Sequence, residues 1–423
     1  MATTSATEVA LEPSALQLSK TDQLEVEQES QLDAFQPSTE PSAPQLSTTA
    51  TMAVDALQAL ESGALQPPKN PSPLQQSIEG ATGDGATTTP SSFNIIDGTP
   101  RPETINGTDG VDIIASRGGD DKVYGKGGDD AISGGSENDY VEGNDGNDII
   151  YGDYVPSANA DLIGGGKDEL YGNKGNDKLY GQTPDDTIDG GPGNDLIEGG
   201  EGNDQIYGRN GDDLLYGDDQ EQNPGVSGDD TVYGGNGNDQ IFGGRGKDDL
   251  IGDAGNDGLV GGQGNDSLSG GSGKDRLIGT DTAFFGQLQQ GFGFGEIDTL
   301  TGGINNDTFV LGLAQAQARD ANGNDVVVND VVLYNDGNPN ANGTLDYALI
   351  KDFGFSGDGV TRGVDKIELA GSQSMYSLGA SPISSTSGTG VFLNGSTAEL
   401  IGILEGISLS NLSITNTNQF TFV

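Results

Sequence analysis

The sequence predicts an all-β protein whose central part is a parallel solenoid. A nine-residue motif of the form Gly-Gly-x-Gly-Asn-Asp-x-Ile/Leu-Tyr recurs through the middle of the 423-residue chain. Residues 190–198 read GGPGNDLIE, residues 199–207 read GGEGNDQIY, and residues 234–242 read GGNGNDQIF. A fixed period of nine, with Gly, Asp and one aliphatic residue locked in phase, is typical of a parallel β-roll. We therefore expect two repeats to form one coil of the roll.

The repeat continues in register from Gly98 to residue 310 and contains twenty units. Three units are elongated, at 152–171, 217–233 and 279–301, and their extra residues are expected to form long surface loops near 152–163, 217–224 and 279–292. The domain organisation predicted from this pattern is a segment over 1–92, the roll over 93–310, and a carboxyl-terminal region over 311–423.

The sixth position of the motif carries a carboxylate in every unit. It is Glu103 in the first unit and Asp in the other nineteen. The eighth position is aliphatic or Phe every time, from Ile105 to Phe309. The nineteen aspartates are the candidate metal ligands: Asp112, Asp121, Asp130, Asp139, Asp148, Asp168, Asp177, Asp186, Asp195, Asp204, Asp213, Asp230, Asp239, Asp248, Asp257, Asp266, Asp275, Asp298 and Asp307.

Each fixed position has a physical reason. Glycine permits backbone angles at which a short turn can direct several carbonyl oxygens toward one point. Ca²⁺ takes six to eight oxygen ligands, which carboxylates and backbone carbonyls supply without His or Cys. The three residues that follow the aspartate form a short strand whose middle side chain points inward. The sequence therefore predicts a calcium-stabilised parallel β-roll that binds multiple calcium ions.

The predicted core is thin, so calcium is expected to be a condition of folding. One inward aliphatic side chain in nine residues does not offset the conformational entropy of ordering the coil. A site with a dissociation constant near 10⁻⁴ M, as in extracellular modules, adds about 1.4 kcal/mol at millimolar calcium. The array is expected to be disordered at cytoplasmic calcium and to fold outside the cell.

Composition excludes several classes of function. The chain has 66 acidic and 18 basic residues, a net charge of −48, and no Cys, His or Trp. This charge argues against binding to nucleic acid or to anionic membrane surfaces. The lack of Cys and His removes disulfides, zinc sites and Ser-His-Asp triads. No apolar stretch is long enough to span a membrane, and the amino terminus has no features of a cleaved signal peptide.

The two flanks differ from the array. Residues 1–92 are rich in Ser, Thr, Gln, Pro and Ala, which predicts disorder, with one short amphipathic helix over Met52–Leu65. Residues 311–423 predict an all-β cap over the open solenoid end, with strands at 326–334, 345–353, 364–369, 390–393, 398–404 and 419–423. A dedicated binding domain is the alternative interpretation of this region.

The array resembles the RTX family of hemolysin-type calcium-binding repeat proteins. The segment DYALIKDFGFSGDGVTRGVDKIEL at 346–369 is similar to the region that follows the repeats in that family, and the chain ends in Phe420, Thr421, Phe422 and Val423. The resemblance implies an uncleaved carboxyl-terminal signal, export by type I secretion machinery, and folding outside the cell on calcium. The chain also looks like proteins common in cyanobacteria.

The same resemblance does not carry an enzymatic activity to this chain. Toxins of the family have an apolar pore-forming region before the repeats, proteases a zinc-binding HExxH helix, and lipases a GxSxG motif with His; none of these is present. We therefore predict a non-enzymatic, secreted calcium-binding protein of the cell surface or extracellular matrix, with surface polysaccharide or another surface protein as partner. The alternative is an accessory or relative of a glycan-active secreted enzyme, with its activity in 311–423.

The ninth motif position is often aromatic and is expected to face outward. Tyr151, Tyr180, Tyr216 and Phe242 should form one stripe, and Tyr171, Tyr207 and Tyr233 another. Such stripes stabilise neighbouring strands when the rings stack across them. A surface that binds a glycan or a protein partner is the alternative interpretation.

Overall fold

The computed structural model describes residues 57, 76–77, 92–154, 165–218, 228–280, 283–287, 296–319, 325–334, 346–354, 364–395 and 397–423. All of them belong to one compact unit, residues 37–423. The described residues are almost entirely β, with two single-turn 3₁₀ helices at Gln373–Met375 and Leu409–Asn411. The all-β prediction is confirmed.

Two sheets of fourteen strands each form the roll. Sheet 1 contains, in spatial order, β1 Gln76–Ser77, β2 Ser92–Asp97, β4 Asp112–Ala115, β6 Ala131–Ser133, β8 Ile149–Tyr151, β10 Lys178–Gln182, β12 Leu196–Gly200, β14 Leu214–Tyr216, β16 Gln240–Arg245, β18 Gly258–Gln263, β20 Arg276–Thr280, β23 Thr308–Val310, β27 Lys366–Leu369 and β31 Phe420–Phe422.

Sheet 2 contains the strands that alternate with these along the array. In spatial order they are β28 Tyr376–Ala380, β29 Gly388–Leu393, β30 Glu399–Glu405, β26 Tyr347–Ile350, β22 Ile297–Ile304, β19 Ser267–Ser272, β17 Asp249–Ala254, β15 Thr231–Asn236, β13 Gln205–Asn210, β11 Thr187–Pro192, β9 Glu169–Lys174, β7 Tyr140–Asp145, β5 Lys122–Gly127 and β3 Thr104–Asn106.

Strands within the array pair in parallel, and equivalent motif positions face one another. Leu179 in β10 lies opposite Ile150 and Ile197, and Ile206 in β13 lies opposite Ile188 and Val232. Every eighth-position side chain is buried, with Ile105 the most exposed at 6%. The core of the roll is therefore a single file of aliphatic side chains from each sheet, as the alternation of side chains along a strand requires.

The elongated units interrupt the chain but not the stack. The parallel ladder resumes in phase at β9, β15 and β22, after each elongated turn. Each long turn leaves a strand of sheet 1 and enters a strand of sheet 2. Most of the residues predicted as loops, namely 155–163, 219–224, 281–282 and 288–292, lie outside the described residues. Residues 283–287 form β21 Ala283–Gln287, which the sequence did not predict.

The carboxyl-terminal region is all-β apart from its two 3₁₀ turns where it is described, and it extends both sheets at the end of the array. The strands β26 and β30 add in parallel to sheet 2, and β27 and β31 add in parallel to sheet 1. The predicted strand positions there correspond to observed strands. The sequence missed β24 Gly312–Arg319, which pairs with β25 Asp325–Val332 and β21 in a third sheet, and it missed β28.

Two places in the predicted disordered segment 1–92 are described before the roll begins. Leu57 is helical and fully buried, and it packs with Phe93, Ile113, Ala115 and Ala131. The short β1 pairs antiparallel with β2. Leu57 and β1 therefore lie against the first coils. The other residues of this segment, including most of the helix predicted over 52–65, lie outside the described residues.

The outward aromatic residues stack in pairs and not in continuous stripes. Rings stack for Tyr151 with Tyr180 at 4.9 Å between centroids, for Tyr207 with Tyr233 at 5.1 Å, and for Tyr216 with Phe242 at 4.9 Å. Glu198 lies between Tyr180 and Tyr216 in the ladder, and Asp189 lies between Tyr171 and Tyr207. The two predicted stripes are interrupted, because single repeats place a carboxylate at the ninth position.

Among the described residues, no helix is long and apolar enough to cross a membrane.

Candidate metal centres

The nineteen predicted aspartates lie in two rows, one along each edge of the roll where the chain turns between the sheets. Row 1 precedes the strands of sheet 2 and contains Asp121, Asp139, Asp168, Asp186, Asp204, Asp230, Asp248, Asp266 and Asp298. Row 2 precedes the strands of sheet 1 and contains Asp112, Asp130, Asp148, Asp177, Asp195, Asp213, Asp239, Asp257, Asp275 and Asp307. All nineteen are buried.

One carboxylate oxygen of each ladder aspartate has a structural role. The backbone N–H of Asp112 donates to Oδ1 of Asp130 at 2.8 Å, and the N–H of Asp130 donates to Oδ1 of Asp148 at 2.8 Å. The same bond links successive aspartates along row 1, as from Asp230 to Asp248 at 2.9 Å. This ladder fixes each carboxylate in one orientation, so the second oxygen also has a defined position.

The second oxygen, Oδ2, is buried and has no hydrogen-bond partner among the described residues in seventeen of the nineteen aspartates, all except Asp112 and Asp298. It faces the first glycine of its own unit. A Cβ built on Gly125 would lie 2.5 Å from Asp130 Oδ2 and 2.7 Å from the carbonyl oxygen of Gly143 in the next coil. A side chain at Gly125 would therefore clash with both oxygen atoms.

Burial makes the ionised form of these carboxyls costly. Desolvation, the largest cause, raises the pKa of Asp130 to about 9 and that of Asp257 to about 7, although the ladder N–H bonds act in the opposite direction. Neighbouring aspartates in the same row raise the pKa further. The pKa of Asp298 rises only to about 6, because hydrogen bonds from Asp266 and Tyr334 offset part of its desolvation.

This arrangement fits a hard cation. A buried, unpartnered carboxylate oxygen beside a backbone carbonyl is the oxygen chemistry that Ca²⁺ prefers, and bound cations would offset the cost of burying like charges. Among the residues that the structure describes, no three acidic side chains converge on one point. Backbone carbonyls must therefore supply much of each ligand set.

The ends of the rows differ from their interior. Oδ2 of Asp112 accepts the Thr108 N–H at 2.6 Å, and Oδ2 of Asp298 accepts the Tyr334 hydroxyl at 2.6 Å. Glu103 takes the ladder position before Asp121, since its N–H donates to Oδ1 of Asp121 at 2.8 Å.

The sequence pattern missed one ladder member beyond residue 310. Asp365 continues row 2, because the N–H of Asp307 donates to its Oδ1 at 3.0 Å and Phe309 pairs in register with Ile367. The segment VDKIEL at 364–369 keeps the Asp-x-Ile spacing of a repeat. The Asp-x-Ile spacing could have identified Asp365 as a ladder residue. The glycines that mark a repeat unit, however, do not precede this segment.

A second ladder runs along the exposed side of the turns at the fifth motif position. The side-chain oxygen of Asn147 accepts the N–H of Asn176 at 2.8 Å, and that of Asn176 accepts the N–H of Asn194 at 2.8 Å. The same bond joins Asn238 to Asn256 at 2.9 Å. The recurrent Asn-Asp pair therefore builds two ladders, an outer one of Asn or Asp and an inner one of Asp.

Two of the three elongated units, 152–171 and 217–233, carry a further acidic residue at their second position, where the third has Thr280. Asp153 is buried, and its Oδ2 accepts the Thr183 hydroxyl at 3.0 Å and the Thr183 N–H at 3.2 Å. Oδ2 of Asp218 accepts the Arg245 N–H at 2.7 Å. Both side chains tie the start of a long turn to the next coil, so they act in the loops and not in the ladder.

Comparison with known families agrees with this geometry. The family model described as the RTX calcium-binding nonapeptide repeat matches residues 97–132, 124–153, 163–197, 189–220, 224–259 and 251–281. The chain carries an RTX calcium-binding repeat array. Its repeats bind multiple Ca²⁺ ions, and the structure they form is a parallel β-roll. RTX repeat proteins are typically secreted.

One solved structure similar to this chain is the extracellular lipase LipA from Serratia marcescens. It shares 18% sequence identity, with 76% of this chain and 40% of the lipase chain covered, and the TM-score is 0.15. The chain thus spans less than half the length of that lipase, and nothing about lipase activity follows for it. No curated protein matches the chain.

Proposed function

We propose that this RTX protein is a non-catalytic, secreted protein of the cell surface or extracellular matrix whose array folds on extracellular calcium. The observation that carries the proposal is the unpartnered Oδ2 of seventeen buried aspartates. These aspartates are the proposed ligands, together with first-position glycine carbonyls such as Gly143 O. When bound, Ca²⁺ supplies the positive charge that the interior of each turn lacks.

The charge balance supports calcium-dependent folding. Each row stacks carboxylates at the spacing of neighbouring strands, about 4.8 Å, and like charges at this distance repel strongly in a buried environment. The chain has 66 acidic residues against 18 basic ones. The ion pairs found among the described residues, such as Lys174 with Asp145, involve side chains outside the two rows. Basic side chains therefore do not replace calcium in the rows.

The carboxyl terminus supports export before folding. Phe420 is 1% exposed, and β31 is hydrogen-bonded to β27 in the folded roll. A secretion signal at Phe420–Val423 would be accessible only in the unfolded chain, which is the form expected at cytoplasmic calcium. Removing these four residues should retain the protein inside producing cells, whereas removing an equal number of residues at the amino terminus should not.

The surface role is tested by association with purified exopolysaccharide. The full chain should co-sediment with the polysaccharide at millimolar calcium and stay in solution with EGTA. A protein that takes up calcium but never co-sediments is a calcium reservoir, and the surface proposal then fails. Turnover of a polysaccharide by the calcium-loaded chain would instead favour the alternative of a glycan-active enzyme.

A further inference from the structure

We infer that Tyr334 closes row 1 at Asp298, so that this position holds a protein hydroxyl where the interior positions hold an ion. The inference rests on the proposed function, because it assumes that the interior aspartates bind calcium. Asp298 carries the motif Asp and has the same ladder bond as the others, since its Oδ1 accepts the Asp266 N–H at 2.9 Å. The sequence therefore cannot distinguish it from a ligand.

The interior of row 1 shows what an open position looks like. In this row, a Cβ built on a first-position glycine would meet two oxygen atoms: Oδ2 of the aspartate in its own unit and the carbonyl oxygen of the first residue one coil later. For Gly261 these are Asp266 Oδ2, which a built Cβ would meet at 2.5 Å, and the carbonyl of Gly279. The Oδ2 of Asp266 accepts no hydrogen bond among the described residues.

At Asp298 both the aspartate Oδ2 and the carbonyl oxygen one coil later accept hydrogen bonds from the protein. A Cβ built on Gly279 would lie 2.5 Å from Asp298 Oδ2, but its other close neighbour is the hydroxyl of Tyr334 and not a carbonyl. The residue one coil later is Leu311, and its carbonyl accepts the N–H of Leu333 at 3.1 Å. The adjacent residues Leu333 and Tyr334 thus donate to the two oxygens that an ion at this position would need.

The closure is tight. Leu333 and Tyr334 are fully buried, and the Tyr334 hydroxyl lies 2.6 Å from Asp298 Oδ2. A donated hydrogen points at the oxygen lone pair that a cation would use, so the hydroxyl and Ca²⁺ compete for the same site. Calcium could bind here only if the tyrosine left a position in which its ring is completely enclosed.

The other row ends are closed in the same way. Glu103 Oε1 accepts the Thr99 N–H at 2.5 Å, Asp112 Oδ2 accepts the Thr108 N–H at 2.6 Å, and Asp365 Oδ2 accepts the Gly354 N–H at 2.6 Å. Every described carboxylate between these ends keeps an unpartnered oxygen. Protein donors therefore mark where each calcium row starts and stops, and at Asp112 a side chain, the Thr108 hydroxyl, also donates to Oδ2, at 3.1 Å.

The number of bound ions tests this inference. Native mass spectrometry resolves integer numbers of Ca²⁺ on the full chain, and two matched substitutions are compared with the unsubstituted protein. Asp248→Asn alters an interior ladder aspartate and should lower the count by at least one. Asp298→Asn keeps an oxygen for the Asp266 N–H and should leave the count unchanged. A loss of ions in Asp298→Asn equal to that in Asp248→Asn overturns the inference.

A second variant covers the case in which Asp298→Asn does not fold. Tyr334→Phe keeps the ring but removes the donated hydrogen, so a closed position predicts an unchanged ion count and a higher calcium midpoint for folding. A lower ion count in Tyr334→Phe would show that the hydroxyl is a ligand, which contradicts closure. An unchanged count in Asp248→Asn, by contrast, contradicts the proposed ligands themselves, whatever the other two variants do.

Discussion

At the scale of the residue, we propose that the ladder aspartate uses one oxygen for structure and the other for metal binding. Oδ1 accepts a backbone N–H from the preceding coil, and Oδ2 has no hydrogen-bond partner among the described residues. An amide in the same place keeps the first role and loses the negative charge needed for the second. The side chain is therefore sensitive to a change of one atom.

Asp248→Asn is expected to raise the calcium concentration needed for folding. The affinity of the local site should fall by at least about tenfold, the range in which even outer-shell substitutions act on metal sites. Circular dichroism during a calcium titration measures the midpoint. Asp249→Asn is the matched control, because Asp249 is adjacent in sequence but exposed. Equal midpoints for the two variants would contradict the role of Oδ2.

Gly252→Ala should destabilise the calcium-loaded roll much more than Gly110→Ala. A Cβ on Gly252 would lie 2.5 Å from Asp257 Oδ2 and 2.6 Å from the carbonyl oxygen of Gly270, whereas a Cβ on Gly110 meets nothing closer than 3.9 Å. Thermal unfolding at saturating calcium gives the comparison. If Gly252→Ala and Gly110→Ala unfold at the same temperature, a glycine is not required between the aspartate Oδ2 and the carbonyl oxygen.

The buried carboxyls predict that acid favours the calcium-free roll. Burial raises the pKa of Asp130 and Asp168 to about 9 and that of Asp239 to about 7, whereas an aspartate in the unfolded chain titrates near 3.8. Between these values the folded chain binds more protons than the unfolded chain, so its stability is highest at low pH and falls as pH rises to about 9.

Lowering the pH from 9 to 5 in EGTA should therefore increase the β signal in circular dichroism. The rows are protonated at the lower pH, and their mutual repulsion falls. A β signal that stays constant, or that grows toward pH 9, would show that carboxylate burial does not limit folding of the calcium-free chain.

At the scale of the element, each strand is stabilised by its neighbours one coil away. The inward side chain stacks on its equivalent, as for Ile188 on Leu170 and Ile206, and outward rings stack in pairs. Arg209 adds a cation–π contact, with its guanidinium 4.5 Å from the centre of the Tyr207 ring. The strands are short, so these contacts between coils carry much of their stability.

The stacked pair Tyr207 and Tyr233 should contribute about 0.5–1.5 kcal/mol beyond the area it buries. A double-mutant cycle with Tyr207→Ala and Tyr233→Ala at saturating calcium measures this coupling. The rings lie 5.1 Å apart and nearly parallel, at 5°. A coupling of zero would mean that the rings are neighbours without mutual stabilisation.

The elements of the array could be predicted from sequence because one local rule fixes strand, turn and burial together. For example, Leu268 is predicted to be a buried strand residue because it lies two positions after Asp266 in the sequence. The flanks lack such a rule. The strand β24 begins at Gly312, after the nine-residue period is lost. The closure of row 1 by Leu333 and Tyr334 depends on a hydrogen bond between Tyr334 and Asp298, which are 36 residues apart in the sequence. Contacts of this kind have no periodic signal.

At the scale of the whole molecule, the candidate sites were predictable as a class but not one by one. The nineteen aspartates share a motif, yet Asp112 and Asp298 receive protein donors that the motif does not encode. The nine-residue period also failed to predict Asp365, which joins the ladder through folding of the carboxyl-terminal region. Periodicity predicts the ladder, whereas its ends depend on tertiary contacts.

From the net charge of −48 we expect the folded array to depend on bound cations. Sites in one stack share coils, so an ion that orders one turn also positions oxygens for the next. Folding should consequently be cooperative in calcium and not a sum of independent sites.

The most direct measurement is circular dichroism of the purified chain at neutral pH during a calcium titration that starts in excess EGTA. The expected result is a disordered array without calcium and a steep, cooperative gain of β structure as calcium approaches millimolar concentrations. Magnesium at equal concentration is the control and should not replace calcium. A native-like β signal in excess EGTA would contradict the dependence of the roll on its metal.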